Sequence, residues 1–394
     1  MDTYLPPAPA APRQSLDTRP RLSVHRLDMA HPGDVSALAA LLDRGAIEAA
    51  GIMAVIGKTE GNGGVNDFTR GYFTQSLMAL LAARTGRPAE ALLRELPCIL
   101  SGGTEGVLSP HYVVFARSAP GVANPVDEAQ GPQPDGALAI GCALSEPLAA
   151  QQVGRWAQVR SVAGAVRDAM REAGIARPED IAFVQVKCPC VTAARAQAAA
   201  AAGHAVLTAD ANRSMAAARA AGAFGVAIAL GELPDDPALE SAMLSDFERF
   251  SARASVSSGV EVEANEVIVL GRSAAWAGSL RMGCAPMRDA LDIGAVAEAL
   301  RPLGLSAEPQ LRPEDAARVA AVFVKCEPDR RGRVRGARHT MLDDTDINAQ
   351  RHIRGAVGGL VAGVLGDGRI FVSGGAEHQG PDGGGLIAVI AHVG

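Results

Sequence analysis

"GIMAVIGKTEG", residues 51–61, carries an apolar run into a lysine, Lys58, and then into a glycine-rich turn. Gly57-Lys58-Thr59 invites comparison with a nucleotide-binding loop. Such a loop needs a glycine five residues before the Gly-Lys-Thr glycine, so that flexible backbone can wrap phosphates with its N–H groups. That position is Ile52, and Ile52-Met53-Ala54-Val55-Ile56 reads as a buried strand. A strand that ends in a lysine is what remains. The same form returns in "DIAFVQVKCPC", ending at Lys187, and in "VAAVFVKCEPD", ending at Lys325. The separations, 129 and 138 residues, are those of ordinary domains, and self-similarity at a long period is a direct sign of architecture.

Two further elements follow each lysine. "PCILSGGTEGV", "SVSSGVEVEAN" and "RIFVSGGAEHQ" bring β-prone stretches to Ser101-Gly102, Ser258-Gly259 and Ser373-Gly374, at lysine-to-serine gaps of 43, 71 and 48 residues. Between them an arginine begins a small-residue helical run: Arg219 in "RAAGAFGVAIALGE", Arg354 in "RGAVGGLVAGVLGD" and, more loosely, Arg70 in "RGYFTQSLMALLAA". Singly, a strand-terminal lysine is a solvated end and a Ser-Gly pair is a turn. Three occurrences in one order, with the intervening sequence diverged, point instead to a shared site. A serine hydroxyl is a weak nucleophile without a base. A lysine serves as that base only when desolvation or neighbouring cations lower its pKa. Glycine after serine allows close backbone approach and an N–H aimed at a developing oxyanion. Three lysines, arginines and Ser-Gly pairs converging on one pocket would suit a small, flat, carbonyl-rich or anionic ring.

Composition fits such an enzyme. The chain has 394 residues, 48% hydrophobic and 20% charged, with a formal net charge of -6, and it lacks the basic block expected of a nucleic-acid or anionic-membrane binder. Its first residues, "MDTYLPPAPAAPRQSLDTRP", are proline-rich and polar, so we expect a disordered leader over 1–19 rather than a signal peptide or membrane span. Six cysteines in a chain of this length do not form a disulfide framework, and "KCPC" has no partner pair at zinc-site spacing. A reducing cytoplasm is the expected location.

"GKTEGNGGVNDFTR", "SGGTEGVLSPH", "FVQVKCP", "RHTMLDDTDIN" and "VSGGAEHQGPDGGG" closely resemble the cyanuric acid hydrolase and barbiturase family of ring-opening amidohydrolases, from about residue 22 to the C-terminus. The resemblance implies an α+β chain of three pseudo-symmetric α/β repeats, near 20–119, 136–275 and 280–394. These would surround one central substrate pocket with a β-barrel-like core and outer helices, and the chain would assemble as a homotetramer. It also implies that one Ser-Lys dyad, in the middle repeat, does the chemistry. Matching "VSSG" to "ILSG" and "FVSG" places the nucleophile at Ser258 and its base at Lys187. Arg70, Arg219, Arg354, Lys58, Lys325, Ser101, Gly102, Gly259, Ser373 and Gly374 then bind substrate.

The expected reaction is hydrolytic ring opening of cyanuric acid to carboxybiuret, then biuret and carbon dioxide, with no organic cofactor. Barbiturase activity is the alternative, and a non-catalytic ligand-binding protein with the same pocket is a second. "SGGTEGVLSPH", with Glu105, is closer to the cyanuric acid branch. Glu327 and the turn "SGGAEHQGPDGGG" offer a carboxylate and many backbone carbonyls, which suits a structural Mg²⁺ or Ca²⁺. The family pattern puts its ligands at Glu327, Ala376, Gln379, Gly380, Pro381 and Gly384.

Overall fold

The computed structural model describes residues 18–118, 136–342 and 347–393; the leader expected over 1–19 lies, but for its last two residues, outside them. The apolar runs form strands as their composition requires. Strands β1 (Arg21–Asp28), β2 (Ile52–Thr59), β3 (Cys98–Gly102) and β4 (His111–Ser118) make one sheet, in the order β1-β4-β2-β3. Strands β5 (Ala137–Leu144), β6 (Ile181–Pro189), β7 (Ala254–Gly259) and β8 (Glu266–Ser273) make a second, in the order β5-β8-β6-β7. In the third, β9 (Leu280–Met287) and β10 (Val319–Cys326) precede a small hairpin, β11 (Arg333–Val334) and β12 (Ala337–Arg338). They are joined by β13 (Phe371–Gly374) and β14 (Gly385–His392) in the order β9-β14-β10-β13. The architecture is therefore α+β with mixed sheets, and all three sheets share one connectivity.

In each sheet the lysine strand runs parallel to the serine strand and antiparallel to the last strand. A parallel pair needs a crossover, and each crossover contains a helix capped by a side chain: Asp67 for Phe68–Thr85, Asp210 for Ala211–Ala229 and Asn348 for Ala349–Leu365. The register shifts at Ile52/Ala54, Ile181/Phe183 and Val319/Ala321, in each case six residues before the lysine.

Strand alternation decides what faces the centre. Ala54, Ile56, Ile99, Phe183, Ala321, Phe323 and Phe371 belong to one core shared by the three sheets, with Phe183 and Phe323 stacked at 5.5 Å between ring centroids. Val55, Cys98 and Leu100 face an outer core of the first sheet, and Val322, Val324 and Val372 an outer core of the third. Lys58, Ser101, Lys325 and Ser373 continue the inner rows, which is why polar strand ends meet in the interior instead of in solvent.

Candidate active site

The three lysines are buried, at 0, 1 and 0% exposure for Lys58, Lys187 and Lys325. Each reaches across to the carbonyl of the residue that precedes the serine of another sheet. Lys58 Nζ donates to the Val372 carbonyl, Lys187 Nζ to Leu100 at 3.0 Å, and Lys325 Nζ to Val256 at 2.7 Å. Lys58 also donates to Ser101 Oγ at 3.3 Å and Lys325 to Ser373 Oγ at 3.2 Å. Burial, with the nearby Arg354 guanidinium, holds the Lys58 ammonium well below its ordinary pKa. Burial, with Arg219, brings Lys325 down to about 7.

The register departs from the alignment that singled out Ser258. Lys58 stands opposite Ser101 and Lys325 opposite Ser373, but Lys187 stands opposite Ser257. Ser258 pairs with Cys188, the position that Gly102 and Gly374 occupy against Thr59 and Cys326. The lysine-to-serine gap of the middle sheet is thus 70 residues. Val256, immediately before Ser257, is the acceptor for Lys325, just as Leu100 and Val372 precede Ser101 and Ser373. The middle sheet therefore keeps the second glycine of the pattern, Gly259, and carries Ser258 in place of the first. Ser257 Oγ is buried without a hydrogen-bond partner among the described residues, whereas Ser258 Oγ donates to the Pro189 carbonyl at 3.4 Å.

Four residues after each of Ser101, Ser257 and Ser373 comes a glutamate: Glu105, Glu261 and Glu377. Each meets the arginine of another sheet's crossover. Arg70 Nε donates to Glu261 Oε1 at 2.7 Å, Arg219 Nε to Glu377 Oε2 at 2.7 Å and Arg354 Nε to Glu105 Oε2 at 3.0 Å. The three ion pairs close a cycle from first to second to third sheet and back. Burial alone would raise these carboxyls. Lys187 and Arg70 outweigh it at Glu261, and Arg219 at Glu377, so both sit at about 2. Arg354 likewise holds Glu105 below its ordinary value. Lys187 shares Glu261 with Arg70, its Nζ lying 2.6 Å from Oε1. The glutamates as arginine partners are absent from the sequence reading, although Ser-x-x-x-Glu at one spacing in all three segments was the available signal. The arginines also differ from expectation in placement. None begins its helix, and Arg219 lies mid-helix within Ala211–Ala229.

A polar cavity of about 50 Å³ lies where these groups meet, lined by Arg70, Arg219, Arg354, Ser101, Ser257, Ser258, Ser373, Lys187, Gly102 and Gly374 among others. Lys58, Lys325 and Gly259 do not line it; the two lysines stand behind their serines. Gly375 must be glycine here. Its φ is +69°, and a Cβ would lie 2.5 Å from Arg219 Nε.

The expected cation ligands gather beside this site. Glu327 is buried, and burial together with Glu377 pushes its carboxyl up to about 8. Its backbone N–H donates to the Gly384 carbonyl at 3.1 Å, and Arg330 Nη2 donates to its Oε2 at 2.6 Å. No cluster of three His, Cys, Asp or Glu side chains suited to a metal occurs among the described residues. A buried carboxylate with a neighbouring carboxylate and turn carbonyls nonetheless fits a hard cation in charge and donor type.

Buried serines beside lysines, in an arginine-lined pocket with backbone amides nearby, define a site for acyl chemistry on a small anionic or carbonyl-rich molecule. Comparison with known proteins narrows the class. Residues 23–392 match the model of the amidohydrolase ring-opening protein family, and the chain belongs to that family. It is 48% identical over 372 residues to the cyanuric acid amidohydrolase of Azorhizobium caulinodans, covering 94% of this chain and 98% of that one. It is 45% identical over 374 residues to a cyclic amide hydrolase of the same organism, covering 95% and 100%. The crystal structure of the cyanuric acid hydrolase from A. caulinodans superposes with a TM-score of 0.85 at 47% identity, over 95% of this chain and all of that one. A second cyanuric acid hydrolase structure gives 0.88 at 41% identity, with coverage of 95% and 100%.

Proposed function

We propose that this chain hydrolytically opens the ring of cyanuric acid, using three pseudo-symmetric repeats that each present one serine and one arginine to a single substrate, with Lys187 the one lysine of the three that lines the cavity. The observation that carries the reading is the cyclic set of contacts, lysine to neighbouring carbonyl and arginine to neighbouring glutamate, around the small polar cavity. Similarity to cyanuric acid amidohydrolases along nearly the whole chain supports the substrate. The same resemblance is the basis for proposing a homotetramer and a cytoplasmic location. Among the described residues no helix is long and apolar enough to cross a membrane.

In the proposed mechanism Ser257 is the nucleophile and Lys187, in its neutral form, the base. Lys187 takes the hydroxyl proton as Ser257 Oγ bonds to a ring carbonyl carbon, and backbone N–H groups and arginines stabilise the oxyanion. Collapse breaks the ring C–N bond, and Lys187 returns the proton to the leaving nitrogen. Water then adds to the acyl-enzyme, gives a proton to Lys187 and expels Ser257, which recovers its own proton. The product is carboxybiuret, which loses carbon dioxide to give biuret. Ser257 is chosen because the register sets it directly opposite Lys187 and its hydroxyl is committed to no other partner among the described residues. The pKa of about 7 at Lys325 and its bond to Ser373 favour a second reading, a Lys325–Ser373 dyad, which serine variants distinguish.

Substrate choice follows from symmetry. Cyanuric acid offers three equivalent carbonyls and N–H groups. Barbiturate replaces one N–H by carbon and would leave one repeat's buried polar contact unmade, at a cost of about 1 to 3 kcal/mol. We expect kcat/KM for cyanuric acid to exceed that for barbiturate by roughly tenfold or more, measured side by side on purified protein. A preference for barbiturate would overturn the choice of substrate and leave the ring-opening reading standing.

We also propose a structural Mg²⁺ or Ca²⁺ held by Glu327 with backbone carbonyls of the turn at Ala376, Gln379, Gly380, Pro381 and Gly384. Such an ion would neutralise the Glu327–Glu377 pair and brace the segment that follows Ser373. Elemental analysis should find bound metal, and chelator should lower the melting temperature. Protein without metal, with stability indifferent to chelator, would refute this.

A further inference from the structure

The three lysine sites differ in what stands across the antiparallel strand. Lys58 faces His111, Lys325 faces Leu386 and Lys187 faces Glu266. Directly opposed residues share a face of the sheet, so the middle lysine alone of the three has a carboxylate directly across the antiparallel strand, in addition to its serine-linked glutamate. Glu266 is buried, and its Oε2 accepts the Cys98 backbone N–H of the first sheet at 3.1 Å. The same side chain lines a cleft of about 1010 Å³, together with Glu261, Asp67, Cys98 and Tyr72. Lys187 itself is 1% exposed. Glu261, which pairs with Lys187, and Glu266 thus both line the cleft.

We propose that Glu266 is a positioning residue for ring opening, one that acts through Lys187 by setting the pH at which that lysine becomes a neutral base. This rests on the Lys187–Ser257 reading. The geometry makes it specific to the middle repeat, because a neutral leucine or a histidine occupies the matching place in the others. Burial lifts the Glu266 carboxyl to about 7, with Lys187 opposing and Glu261 adding to the rise. Its charge therefore changes in the range where the enzyme would work. The groups facing it are Lys187 from β6, the Cys98 thiol from β3, which burial holds at about 12, and Glu261 from the loop before β8. Asp67, Glu146, Glu263 and Arg94 stand further round the cleft wall. With Cys98 neutral and Glu261 ionised, Glu266 is the neighbour of Lys187 whose charge changes near neutrality.

The sign follows. An ionised Glu266 favours the ammonium form of Lys187 and keeps it from acting as a base; a neutral side chain there lets the lysine lose its proton at lower pH. Glu266→Gln retains an oxygen for the Cys98 amide and removes the charge. It should move the acid limb of the kcat/KM profile down by about one pH unit, with Glu266→Asp falling between it and the wild-type chain. The control Glu263→Gln, on the exposed rim, should leave the limb in place. An acid limb unchanged in both Glu266 variants, while Lys187→Met is inactive, would overturn the proposal. Wild-type turnover in Lys187→Met would instead overturn the dyad on which it rests. Should Glu266→Gln fail to fold, the Glu266→Asp profile decides alone: a limb moved down supports the role, and one at the wild-type position refutes it.

Discussion

Ser257→Ala is expected to lower kcat by roughly four orders of magnitude or more, since one member of a nucleophile–base unit accounts for most of the rate enhancement when removed. Ser258→Ala, which loses a long bond to the Pro189 carbonyl and one hydroxyl of the cavity wall, should cost about tenfold or less. Single-turnover assays with cyanuric acid separate the two. Lys187→Met should match Ser257→Ala, and the double variant should be no worse than either, because the two act as one unit. Ser101→Ala and Ser373→Ala should act mainly on KM, since their hydroxyls are placed to hold the ring. Loss at Ser258 with retention at Ser257 would return the nucleophile to the residue beside Gly259. A loss at Ser373 as large as that expected for Ser257 would move the chemistry to Lys325.

The second large effect concerns the ring of ion pairs. Arg219 and Glu377 are joined through two hydrogen bonds, at 2.6 and 2.7 Å, with side chains 15 and 8% exposed. Removing one partner of such a pair leaves a buried charge uncompensated, which costs about 3 to 5 kcal/mol. Arg219→Met should therefore unfold at a markedly lower temperature. The loss is aggravated because Glu377 already faces Glu327. Adding Glu377→Gln to Arg219→Met should recover much of the stability but not the turnover, since Arg219 also lines the polar cavity. Stability unchanged in the single variant would mean that the cycle of arginines and glutamates does not hold the repeats together.

How far the sequence reaches is seen in particular residues. Lys58, Lys187 and Lys325 were legible because a lysine that closes an apolar strand leaves a local pattern in the sequence, and all three occupy matching register positions. Arg70, Arg219 and Arg354 were legible as a recurring residue type, but not in their placement. Their offsets along the helices differ, and only the folded crossovers bring each to a glutamate of another sheet. Those glutamates were hidden because ion pairs spanning 191, 158 and 249 residues leave no local trace beyond a common spacing after serine.

The serine of the middle repeat draws the boundary most clearly. By itself the sequence determined that a serine near residue 258 belongs with Lys187, and that three such sets occur in one chain. Which of two adjacent serines faces the lysine is a question of strand parity. A shift of one residue sends a side chain to the opposite face, and an alignment anchored on glycine is blind to it when serine has replaced that glycine. Only the pairing of β6 with β7, which sets Ser257 against Lys187, decided the matter. The same holds for Glu266, an unremarkable acid at the start of a strand until β8 lies against β6 and places it beside the buried lysine.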